Sequence, residues 1–136
     1  MLKITKKVEY ALISLKFICE EKSRGELTTA REVCSKFNTP FDTTSKVMQA
    51  MNNAGILISE KGIKGGYALS KKLCDVSYLD LVHIVDPKNN EHDFCQSNKG
   101  RCELYSTCNI VGPIDKLNIT LNKYLRSLTI DQLFSM

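Results

Sequence analysis

At 136 residues, 43% hydrophobic and 25% charged, the chain has the size and composition of one folded domain with an added element, and nothing in that composition reads as disordered. Its formal net charge of +4, from 19 basic and 15 acidic residues, names no partner unless the cations gather on one surface. No apolar run approaches the ~20 residues that cross a bilayer, and no signal peptide is read at the N-terminus, so a cytoplasmic protein without a membrane partner is expected, with reduced thiols.

Residues 6–21 show a helical period behind Thr5 as N-cap, with Val8, Ala11, Leu12, Leu15 and Cys19 on one face. A second apolar stripe, Tyr10, Ile13 and Phe17, is bordered by Glu9 and predicts burial on two sides. After a turn through Gly25, a second helix opens at Thr29, with Glu32 in capping-box position and Ala30, Val33, Cys34 and Phe37 as its buried face. Asn38 suits a left-handed C-cap. Thr39 as cap, Pro40 at the first helical position and Asp42 at N3 open a third helix over 40–54, with Val47, Ala50, Met51 and Ala54 facing the core and Gly55 ending it.

Two helices joined by so short a turn suggest a helix-turn-helix. The strands Ile56–Ser59 and Tyr67–Leu69, with Glu60-Lys61-Gly62-Ile63-Lys64-Gly65-Gly66 between them, read as a wing. Ser77 caps a fourth helix with Leu79, Leu81, Val82 and Val85 as apolar positions, stopped by Pro87. Residues 86–112 lose periodicity and hold three cysteines; an unstructured stretch of that length is usually functional or disordered. A last helix begins at Pro113, where Ile114, Leu117, Leu121, Tyr124 and Leu128 recur at steps of three and four, a short heptad seam that a second copy of the chain would cover.

The pattern is mainly α with a small β-wing. It divides into a winged helix-turn-helix DNA-binding domain over 1–85, a cysteine-containing sensor loop over 86–112, and a long C-terminal dimerisation helix with its tail over 113–136. Opposite the core face of the third helix lie Asp42, Ser45, Lys46, Gln49 and Asn52, side chains suited to base edges. Lys6, Lys7 and Thr44 are read as phosphate contacts, and Lys61 and Lys64 as cations for the minor groove. Each lysine alone is equally a solvated surface charge; the set around one helix favours double-stranded DNA.

Cys95, Cys102 and Cys108 are separated by six and five residues, so they converge only if the segment curls around a central object. Iron–sulfur clusters are held by such thiolates. Structural zinc usually shows Cys-x₂₋₄-Cys pairs, which are absent, and three unrelated thiols are the remaining alternative. Cys19 and Cys34 fall on core faces as small hydrophobes, and Cys74 has no partner in sequence. His83 is read as packed or solvated, and His92, near Cys95, as a less favoured ligand. With no Cys-x-x-Cys at a helix start and no phosphate-cradling loop between strand and helix, no enzyme is expected.

The chain resembles the IscR/NsrR family, the Rrf-two group of winged-helix regulators. The marks are Glu9-Tyr10-Ala11-Leu12, then Lys61-Gly62-Ile63-Lys64-Gly65-Gly66-Tyr67-Ala68-Leu69, the triplet Cys95, Cys102 and Cys108, and Leu128-Thr129-Ile130-Asp131-Gln132-Leu133. The resemblance implies a homodimeric repressor or activator on a pseudo-palindromic operator, with repression the favoured direction. It also implies operator binding controlled by an iron–sulfur cluster that senses redox state, nitric oxide or iron–sulfur supply. The cluster type, [2Fe–2S] or [4Fe–4S], stays open, and handling in air is expected to deplete it. Glu9 matches the position of the acidic fourth ligand in the nitric-oxide-sensing branch, with a surface glutamate as the other reading. Two departures stand out: the first cysteine gap is longer than in relatives, and Asn109-Ile110-Val111 lacks the histidine some of them use as fourth ligand. The alternative is a cluster-free regulator of the same fold, controlled by thiol oxidation or a partner protein.

Overall fold

The computed structural model describes residues 4–88 and 102–136. Its elements are α1 (Lys6–Glu21), α2 (Ala30–Phe37), α3 (Phe41–Asn53), β1 (Leu57–Glu60), β2 (Gly66–Leu69), a 3-10 turn (Leu73–Asp75), α4 (Tyr78–Val85), α5 (Val111–Ser127) and α6 (Ile130–Phe134). Cys95 and His92 lie outside the described residues.

The helix starts follow the capping chemistry. Thr5, Thr29, Ser77 and Thr129 each accept a backbone N–H through the side chain. At Thr129 the box is complete, since the Gln132 side chain accepts the Thr129 N–H at 3.0 Å. At Thr29 it is half made, because Glu32 turns instead to Lys22, with Nζ 2.5 Å from its carboxylate. Asn38 adopts the left-handed conformation at φ 56°, which ends α2 and allows the sharp entry into α3. Thr39 does not cap α3: its hydroxyl accepts from that of Thr44 at 2.8 Å, and α3 opens from Pro40 without a side-chain cap.

Two core faces are rotated from the expected ones. On α3 the buried set is Thr44, Val47, Met48 and Met51, spaced i, i+3, i+4 and i+7, while Ala54 is exposed and Ala50 only partly covered. On α1 the row Val8, Ala11, Leu15 and Ile18 is buried with Ser14 and Phe17. Cys19 is exposed and Cys34 half-buried, so neither is the small core hydrophobe expected.

α1 packs against α3 and α4, α2 against α3, and α5 against α4. β1 and β2 pair antiparallel from Leu57↔Leu69 to Glu60↔Gly66. Thr28 joins as a bridge to Tyr67, each residue's N–H donating to the other's carbonyl at 2.8 Å, which ties the base of the wing to the helical body.

The segment after α5 is not a tail. Leu128 and Ile130 enter the same core as α1, α3 and α4. The Tyr78 N–H donates to the Leu128 carbonyl at 2.7 Å, and the Ile130 N–H to the Val76 carbonyl at 2.9 Å.

Candidate functional site

α3 presents its polar row outward. Asp42, Lys46 and Gln49 are exposed and Ser45 and Asn52 half-exposed, on the side away from Val47, Met48 and Met51. Of the expected DNA contacts, five therefore share one accessible helix face. Thr44 does not: at 0% exposure, with its hydroxyl held by Thr39, its side chain meets no phosphate. The cause is helical geometry, which puts Thr44 one turn before Met48 on the buried side.

Lys61 and Lys64 stand exposed between the strands. The hairpin that carries them is tightly folded. The Gly65 N–H donates to the Gly62 carbonyl at 3.0 Å, and a Cβ on Gly65 would lie 2.4 Å from the Glu60 carbonyl oxygen. Gly66, at φ 154°, has its Cα against the Thr28 backbone, where a Cβ would come within 3.0 Å. Lys6 and Lys7 are exposed at the start of α1. Lys6 is bound to Glu9 at 3.0 Å, and that hydrogen bond raises its pKa above the ordinary lysine value.

Two exposed residues of these elements are given no role by the sequence reading. Arg31, exposed on α2, has its guanidinium 5.0 Å from the ring centre of Phe41, at the mouth of α3. Its place beside Ala30 on the polar side of the second helix was the available signal. Ile63, between the two wing lysines, is fully exposed.

The described part of the cysteine segment is a series of turns. The Tyr105 N–H donates to the Cys102 carbonyl at 3.2 Å, and the Thr107 N–H to the Leu104 carbonyl at 3.1 Å. Cys102 is exposed and Cys108 half-buried, both as free thiols, and Cys108 precedes α5 by three residues. Soft, accessible, unpaired thiols suit iron or zinc. Among the described residues no three His, Cys, Asp or Glu gather as a metal-binding group, and Cys95 falls outside them. Glu9 is half-exposed and holds Lys6. Cys74 is exposed on the 3-10 turn and His83 half-exposed on α4.

The heptad stripe of α5 divides. Leu117 is 48% and Tyr124 53% exposed, with Ile114 and Leu121 partly covered. Leu128, expected on the same seam, is 8% exposed and belongs to the chain's own core, because α5 ends at Ser127 and the backbone turns inward. The side of α5 that meets the body carries Asn118, buried with its amide nitrogen unpartnered.

Among known proteins, residues 4–136 match the Rrf2 family model, described as an iron-dependent transcriptional regulator. An rrf2-like HTH-type transcriptional regulator of Rhodobacter capsulatus is 33% identical over 85 residues, covering 61% of this chain and 57% of that protein, so the match spans little more than half of that relative. Among solved structures, CymR, the global cysteine regulator of B. subtilis, aligns at TM-score 0.68 with 22% identity over 99% of this chain and 98% of its own. T. potens IscR aligns at 0.63 with 17% identity over 98% and 87%. With its winged fold and a family match across nearly its whole length, the chain belongs to the Rrf2 family of transcriptional regulators.

Proposed function

We propose that this regulator binds a palindromic DNA operator as a cytoplasmic homodimer, and that an iron–sulfur cluster held by Cys95, Cys102 and Cys108 sets its affinity. The observation that carries the reading is the placement of Cys102 and Cys108, unpaired and accessible, directly ahead of the helix whose apolar stripe is uncovered. Asp42, Ser45, Lys46, Gln49 and Asn52 would meet base edges in the major groove, while Lys6, Lys7, Lys61 and Lys64 would meet the phosphates and the minor groove. Leu117, Tyr124, Leu121 and Ile114 would face the second copy. A cluster, when bound, supplies a redox- and nitric-oxide-sensitive centre whose thiolate ligands tie the cysteine segment together. Glu9 is the candidate fourth ligand, and it must leave Lys6 to serve.

The route from cysteines to DNA is short. Cys108 leads into α5, α5 packs on α4, and α4 packs on both α1 and α3. A change in how α5 docks would tilt the two recognition helices of a dimer, and operators spaced by about one helical turn respond to such a tilt.

The test is anaerobic purification with an absorption spectrum and counts of iron and acid-labile sulfide per chain. Brown protein holding both, and their loss in Cys102→Ser, is the expected result; the iron count then separates the two cluster types. Colourless protein with neither, even after anaerobic reconstitution, would overturn the cluster. A second reading is favoured by the exposed thiols of Cys74 and Cys102 and by the likeness to a cysteine regulator: a cluster-free switch through thiol oxidation or a partner protein.

A further inference from the structure

The wing carries a residue that folding does not explain. Ile63 sits at its tip with its side chain fully exposed, although a β-branched apolar residue in a turn gains nothing from water. The hairpin that presents it is braced. Gly65 is packed onto the Glu60 and Gly62 backbones, Gly66 onto Thr28, and the Thr28–Tyr67 bridge fixes the wing base to the body. Lys61 and Lys64 flank it, both exposed. An occupant for this tip must accept an apolar side chain between two cations. The DNA minor groove does so, with sugar rings and base edges between two rows of phosphates. Apolar wedges at such positions partly unstack a base step and kink the duplex.

We propose that Ile63 is a minor-groove wedge: the wing lysines hold the phosphates on either side while Ile63 enters at a base step. It thereby selects operators with a deformable pyrimidine–purine step at that place, TA or CA, where unstacking is easiest. This rests on the wing's being a DNA element and adds a specificity determinant to it.

The experiment uses the full chain. Duplexes are selected from a random library, the wing position is mapped by hydroxyl-radical footprinting, and 2-aminopurine is placed at the step beneath it. The intact protein should brighten the probe, and Ile63→Ala should not. Ile63→Ala should bind roughly ten-fold more weakly with an unchanged salt slope and lose the preference for TA or CA at that step, while Ile63→Met keeps both. Lys61→Ala with Lys64→Ala should instead lower the salt slope by about two, one phosphate contact each. Ile63→Ala with unaltered affinity, step preference and probe signal would overturn the wedge, as would an effect confined to self-association. Failure of the intact protein to select any duplex would overturn the DNA reading of the wing and the wedge with it.

Discussion

Gly65 shows how closely single residues are constrained here. A Cβ would lie 2.4 Å from one carbonyl oxygen and 2.9 Å from another, both backbone atoms with little room to yield. Gly65→Ala should distort the wing at a local cost of about 1–3 kcal/mol. Operator affinity is then expected to fall in a binding titration, while far-ultraviolet circular dichroism stays native, because Gly65 sits in the turn of the wing, outside the buried cluster that Leu57 joins. Tyr78 makes the opposite case. Its ring is buried, its hydroxyl has no hydrogen-bond partner among the described residues, and burial pushes the phenol pKa up. Removing an unsatisfied buried hydroxyl relieves a desolvation cost, so Tyr78→Phe should leave stability unchanged or raise it by about 1 kcal/mol in urea titrations. At this scale four caps were plain in the sequence, since Thr5, Thr29, Asn38 and Ser77 each carry the chemistry their positions need, whereas Thr39 does not cap α3. Thr44 was not. A hydroxyl near a recognition helix suggests a phosphate contact, and only the i, i+3, i+4, i+7 row with Val47, Met48 and Met51 shows that it points inward.

Among the elements, α5 has an unfinished surface. Leu117 and Tyr124 are about half exposed on one stripe, and the helix meets the rest of the chain through another side that includes Asn118, whose amide nitrogen has no partner among the described residues. Burying the exposed half of each apolar side chain against a second copy would contribute on the order of 1 kcal/mol. Leu117→Ser with Tyr124→Ser should therefore convert a dimer to monomer at micromolar concentration by sedimentation, with helical content retained. An unchanged sedimentation coefficient would remove α5 from the interface. The helix-turn-helix and wing were readable because their signals are local: an αL residue, a proline, a glycine-rich turn. The heptad seam was readable as a stripe but not in its extent. Leu128 continues the spacing, yet the helix stops at Ser127, and spacing alone does not report where a backbone leaves the helix.

Across the whole molecule, the last nine residues close the core instead of trailing from it. Ile130 is fully buried, Leu128 nearly so, and their backbones bond to Tyr78 and Val76 across the chain. Losing two such side chains from a domain stable by roughly 5–15 kcal/mol removes a large fraction of the total. Truncation before Leu128 should lower the thermal midpoint by ten degrees or more, on the order of the several degrees expected per kcal/mol at this size. A helix as short as α6 has too few residues to show a period, so the sequence read it as a tail. The Thr129–Gln132 capping box was the signal available there. Cys95, Cys102 and Cys108 suggest metal chemistry by residue type alone, but the convergence of three thiols is not a local property of a sequence, and Cys95 lies outside the described residues.

The coupling of a metal-dependent switch to a winged DNA reader in one chain is a proposal. It is tested most directly by measuring the affinity of anaerobically purified, iron-containing protein for its selected operator, before and after iron is removed by a chelator. A change of at least about ten-fold, equivalent to 1.4 kcal/mol of coupling, is expected in the intact protein and none in Cys102→Ser. Equal affinity with and without iron would contradict it, leaving a winged-helix regulator whose signal enters elsewhere.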